Sequence, residues 1–158
     1  MKGHAVHKYL YLALGLSVFG CVAAQDKAPE KAPARAPAPR TLKVKLNYTG
    51  TGTVDEKHKI IVFLFDSPEF MQGNAMPVGM QAAAAKTGAV TFSDIASSPV
   101  YVTAVYDPTG EYEGMSAPPS GSSMGLYSKT PGTPEPVRIE PGQTAEIELA
   151  FDDTAKMP

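Results

Sequence analysis

The stretch PVYVTAVYD (99–107) decides how this chain is read. Val100, Val102, Ala104 and Tyr106 fall on one side of an extended strand, and Tyr101, Thr103 and Val105 on the other. That is the two-residue period of a β-strand rather than the 3.6-residue period of a helix. Working outward, LKVKLNY (42–48) alternates in the same way, with Leu42, Val44, Leu46 and Tyr48 against Lys43, Lys45 and Asn47. KIIVFLF (59–65) is a short, continuous apolar run, which suits a central strand buried on both faces. VGMQAAAAK (78–86) is rich in helix-favouring alanine but short, and it runs straight into Thr87-Gly88. It is therefore expected to supply a strand over 80–86, hairpinned to AVTF (89–92). PVRIE (136–140), the turn Pro141-Gly142-Gln143 and TAEIELAF (144–151) are expected to form a final hairpin, with Ala145, Ile147, Leu149 and Phe151 facing inward. About seven short strands with no long helix predict an all-β fold, an antiparallel β-sandwich over 41–153 followed by a tail at 154–158.

What precedes the strands is of a different kind. Lys2 and Lys8 supply a positive region ahead of an apolar run, Tyr9–Gly20, that is shorter than the ~20 residues needed to span a bilayer. Val22-Ala23-Ala24 supplies the small residues that a signal peptidase reads, so 1–24 is expected to be a signal peptide. A second reading stands beside it: VFGC (18–21) is similar to a bacterial lipobox, with 1–20 removed and Cys21 lipidated. Residues 25–40 are dominated by Ala, Pro, Lys and Arg and predict an extended, polyproline-like linker. Both readings make the protein exported, to the periplasm or beyond, with membrane attachment only through Cys21. With one cysteine in the whole chain, no internal disulfide can form. The 118 residues after position 40 are enough to bury a core without one.

The stretch TGAVTFSDIASSPVYVTAVYDPTGEY (87–112) resembles the signature of transthyretin-like, carboxypeptidase-regulatory-like domains. Gly88, Phe92, Ile95, Tyr101, Val102, Ala104 and Asp107 carry the resemblance, while Ser97-Ser98-Pro99 stands where those domains have a Gly before the Tyr-rich strand. Together with the opening strand and the closing Pro-Gly turn, it spans most of 41–152. It implies a prealbumin-like sandwich and a non-catalytic accessory, adhesive, ligand-binding or structural module, some members resembling starch-binding domains.

Composition narrows the chemistry. From Thr41 onward there are 8 Lys and Arg against 14 Asp and Glu, a net of 8 − 14 = −6. Such a balance disfavours nucleic acid and anionic lipid as partners. Past the leader, His58 is the one histidine, set among Asp55, Glu56, Lys57 and Lys59, and no serine or cysteine nucleophile is matched to it. Zinc lacks ligands. Asp107 with Glu111 or Glu113, and Asp152 with Asp153, are the carboxylate pairs available for acid–base work, although nothing in the sequence sets one carboxyl apart from another.

Two metals fit better. Asp107, Thr109, Glu111 and Glu113 place oxygen at alternate positions, a spacing that can wrap calcium, although the EF-type order is absent. Met71, Met76, Met80, Met115 and Met124 lie in loop-rich stretches, and thioethers bind Cu(I). The segment 111–136 is expected to be a long loop, anchored by Tyr127, and Tyr112 with Tyr127 could offer a shallow surface to a glycan or peptide. The expectation is a non-enzymatic module that binds another cell-envelope protein through strand edges or this loop. Carbohydrate binding and metal binding (calcium or copper) are the alternatives.

Overall fold

The computed structural model describes residues 38–158 apart from Asn74; the signal segment, Cys21 and the linker up to residue 37 lie outside the described residues. Among the described residues there are seven strands: β1 (Arg40–Tyr48), β2 (Ile60–Phe65), β3 (Gly79–Ala83), β4 (Thr87–Ile95), β5 (Tyr101–Tyr106), β6 (Ser123–Leu126) and β7 (Thr144–Phe151). They form a three-stranded sheet, ordered β4-β1-β7, and a four-stranded sheet, ordered β3-β2-β5-β6. The all-β sandwich is as expected, but β1 and β7 pair in parallel, from Thr41 opposite Thr144 to Tyr48 opposite Phe151.

The main core lies between the sheets. Leu42, Val44, Leu46 and Tyr48 reach it from β1, Ile60, Val62 and Leu64 from β2, and Ile147, Leu149 and Phe151 from β7. At one end the Tyr48 ring stands 4.9 Å from both Tyr106 and Phe151. A second apolar layer lies outside the four-stranded sheet. It is built from Ile61, Phe63, Phe65 and Val105 and covered by Phe70, Ala75, Tyr101 and Tyr112. β2 is buried along its whole length because its two faces serve two different layers.

Both expected hairpins are corrected. β3 pairs with β2, and β4 pairs with β1, so the chain changes sheets across Ala84-Ala85-Lys86 instead of turning back within one. The reason is burial: β3 has small or exposed side chains, whereas Val90, Phe92 and Ile95 of β4 are needed in the core from the opposite layer. The corner is tied by Tyr48 N–H donating to Lys86 C=O at 2.8 Å and by Lys86 Nζ donating to Gly50 C=O at 2.7 Å.

The second correction concerns 136–140, which do not pair with β7. Val137 exchanges hydrogen bonds with Val100 at 2.8 and 2.9 Å, and Ile139 N–H donates to Ser98 Oγ at 2.9 Å. The Pro-Gly turn is present, with Gln143 N–H donating to Glu140 C=O at 3.0 Å, but it delivers the chain to β1 rather than back along itself.

The segment 111–136 is not structureless. It contains β6, whose Gly125 lies so close to Phe151 that a Cβ there would come within 2.6 Å of the ring. The tail joins the same strand: Met124 N–H donates to Ala155 C=O at 2.9 Å and Met157 N–H to Ser122 C=O at 2.8 Å.

Candidate functional site

The corner after β5 is built by one buried carboxylate. Asp107 is 3% exposed. Its Oδ1 accepts the Thr109 N–H at 3.0 Å. Its Oδ2 accepts the Thr109 hydroxyl at 2.5 Å and the N–H groups of Glu111 and Tyr112, each at 3.1 Å. Burial on its own pushes this carboxyl up; the Thr109 hydroxyl and the three N–H donors outweigh it and hold the group below the ordinary range. The alternating oxygens of YDPTGEYEG are thus divided: Asp107 organises the turn from beneath, while Glu111 and Glu113 are exposed. Among the described residues no three His, Cys, Asp or Glu side chains come together as a metal-holding group.

Tyr112 fastens the loop over the four-stranded sheet. Its ring lies 6.3 Å from Phe63, and its hydroxyl donates to Ser116 C=O at 3.0 Å. Burial raises the phenol above its usual range. Thr109, Glu111, Tyr112 and Glu113 line one open cleft of about 450 Å³, with Met115, Ser116 and Pro119. Three of the four calcium candidates and one of the two tyrosines therefore share a rim. Tyr127 does not join it. It packs on the main core, donates its N–H to Val102 C=O at 3.0 Å, and so occupies a different layer from Tyr112.

The methionines converge on the same side. Met80 lies opposite Phe63, and Met124 opposite Val105, so both belong to the outer face of the four-stranded sheet. Met115 follows Gly114, which is packed against Met80. Met71 and Met76 fall in the other covering loop, where a short 3-10 helix, Pro68–Gln72, stacks Phe70 on Phe65 at 4.4 Å.

The remaining candidates are structural in their contacts. His58 Nδ1 lies 2.9 Å from Asp55 Oδ1, which also accepts the N–H groups of Lys57 and His58. Asp152 accepts the Thr154 N–H at 2.8 Å and makes no hydrogen bond with Asp153. The Thr154 hydroxyl and N–H pull the Asp152 carboxyl down more strongly than the negative charge of Asp153 nearby pushes it up. Asp153, which the sequence offered only as a partner for Asp152, is instead a hub for groups far away in the chain. Its Oδ1 accepts the hydroxyls of Tyr48 and Ser123, both at 2.6 Å, and its Oδ2 accepts Thr51 N–H at 2.8 Å. The Ser123 and Tyr48 hydroxyls and the Thr51 N–H hold its carboxyl far below the ordinary range. Burial first, and this hydrogen bond second, push the Tyr48 phenol up to about 12. Lys156 Nζ donates to Ser123 Oγ at 2.8 Å, but that serine is fully buried and gives its own proton to Asp153. No local signal marks Asp153, because its partners come from β1, the following turn and β6. No protein family, curated protein or solved structure matches this chain.

Proposed function

We propose that this protein is a non-catalytic, exported interaction module of the cell envelope, and that it takes its partner on the loops over the four-stranded sheet. One observation carries the reading: among the described residues, the large exposed apolar side chains belong to β3, to the residue before it, or to the two loops whose Phe70, Ala75 and Tyr112 pack on the outer layer of this sheet. They are Met71 and Met76 of one covering loop, Val78 beside it, Met80 of β3 and Met115 of the other loop. Grouped apolar exposure of this kind marks binding surfaces more often than scattered single residues do. The exposed carboxylates of Glu111 and Glu113 on the adjoining cleft select for a partner segment that pairs apolar side chains with a basic group. The resemblance to transthyretin-like domains, and a His58 engaged by Asp55 with no nucleophile matched to it, support a binding role over a catalytic one.

The test is a photocrosslinking residue at Met115, compared with one at Thr91 on the outer face of the other sheet, in intact cells. A crosslinked band specific to position 115, weakened by Glu111→Lys with Glu113→Lys, is expected. Equal labelling at both positions, or none at 115, would overturn the reading.

A further inference from the structure

We propose that Met80 is a site of reversible oxidation by peroxide, and that its sulfoxide releases the 107–122 loop from the sheet it covers. Met80 stands directly opposite Phe63 in the β2–β3 ladder, so its side chain belongs to the outer apolar layer. There it meets the loop at Gly114, whose φ of 83° favours glycine. A side chain at 114 would overlap Met80 Sδ, and its Cβ would stand 3.3 Å from Ile61 Cγ2 and 3.4 Å from Phe63 Cε1. The absent side chain leaves a slot, and the thioether fills it. Met80 thereby joins the edge strand to the loop that carries Tyr112 and the acidic rim. It remains 40% exposed, so an oxidant reaches it without unfolding.

In the reaction the sulfur lone pair attacks one oxygen of hydrogen peroxide; an S–O bond forms, the O–O bond breaks, and the second oxygen leaves as water after proton transfer. Sulfur is oxidised by two electrons and peroxide is reduced by two. The product is a polar S=O group in a slot walled by Ile61 and Phe63. Buried there it is costly, and turned out to water it no longer fills the slot. Reduction by a methionine sulfoxide reductase, with a dithiol as electron donor, restores the thioether. The loop is held in this way whatever the rim binds.

The experiment treats the full chain with graded hydrogen peroxide, follows each methionine by peptide mass spectrometry, and follows the loop by amide hydrogen exchange. Met76 and Met115, 82% and 84% exposed, convert first and serve as internal references. Exchange across 108–119 is expected to rise about tenfold in step with Met80 sulfoxide, not with the earlier conversions. Met80→Leu is expected to keep the loop protected while Met76 and Met115 still oxidise, and reductase treatment is expected to restore protection in the natural chain. An equal rise in Met80→Leu, unchanged exchange at full Met80 conversion, or protection that reductase does not restore would each overturn the proposal. If Met80→Leu itself loosens the loop, the reductase experiment on the natural chain decides.

Discussion

The two outer faces of the sandwich follow the same alternating backbone and have opposite chemistry. Outside the three-stranded sheet stand Lys43 and Lys45 of β1, with Glu146 and Glu148 of β7; Lys43 Nζ lies 3.3 Å from Glu146, and Lys45 also pairs with it. That face meets water directly. Outside the four-stranded sheet stand Ile61, Phe63, Phe65 and Val105, all buried although they face away from the main core. An apolar sheet face has to be covered, and here two loops do it, bringing Phe70 and Tyr112 down as anchors. The difference teaches where to look for function. Covering loops carry irregular backbone, exposed methionines and the acidic rim, whereas the charged face needs no cover and has none of these.

The contrast can be broken by substitution. Phe63→Ala is expected to cost about 3–4 kcal/mol in denaturant unfolding, because it removes a buried ring from a layer the loops close over. A cost below about 1 kcal/mol would mean that the second layer is not a packed one. Asp107→Asn is expected to cost about 2 kcal/mol, since an amide cannot accept from three N–H groups and a hydroxyl as the carboxylate does. Its effect on hydrogen exchange should concentrate in 108–114 and spare the three-stranded sheet.

Acid sharpens the comparison further. Asp107 and Asp153 are both held below their ordinary carboxyl range in the folded chain. The stability they contribute is therefore complete above the unfolded value of about 4 and is lost as pH falls through the lower folded values. The melting temperature is expected to be level from pH 7 to about 5 and to decline below about 4. Asp107→Asn combined with Asp153→Asn should flatten that decline; an unchanged acid limb would show that neither carboxylate is responsible. The smallest effect belongs to the charged face. Lys45→Ala is expected to leave the denaturant midpoint almost unchanged, and raising the salt concentration should shrink even that small effect.

The strands that could be read from sequence are those whose burial follows a simple rule. β1, β5 and β7 alternate, and β2 is apolar throughout, so each announces its own faces. β6 was hidden because Ser123-Met124-Gly125-Leu126 is short and contains a glycine, and that glycine is required by Phe151, 26 residues further along. The β3–β4 and 136–151 hairpins failed for a common reason. A turn signal reports that the chain bends, not which sheet it bends into. Within the candidate site, Asp107 was visible as a turn former and Tyr112 as an aromatic. That Thr109, Glu111, Glu113 and Tyr112 would line one cleft while Tyr127 goes to the other layer depends on the packing of β2 and β5 between two apolar layers.

The amino-acid sequence by itself determined the all-β class, the extents of most strands, the acidic balance of the strand-forming part and the turn chemistry around Asp107, because propensity, period and charge are local properties. Tertiary structure alone decided the parallel pairing of β1 with β7, the switch of sheet between β3 and β4, the Asp153 hub and the seat of Met80 at Gly114. Each of these joins residues far apart in the chain, and what selects them is the burial of apolar surface and the pairing of buried polar groups, which exist only once both sheets are in place.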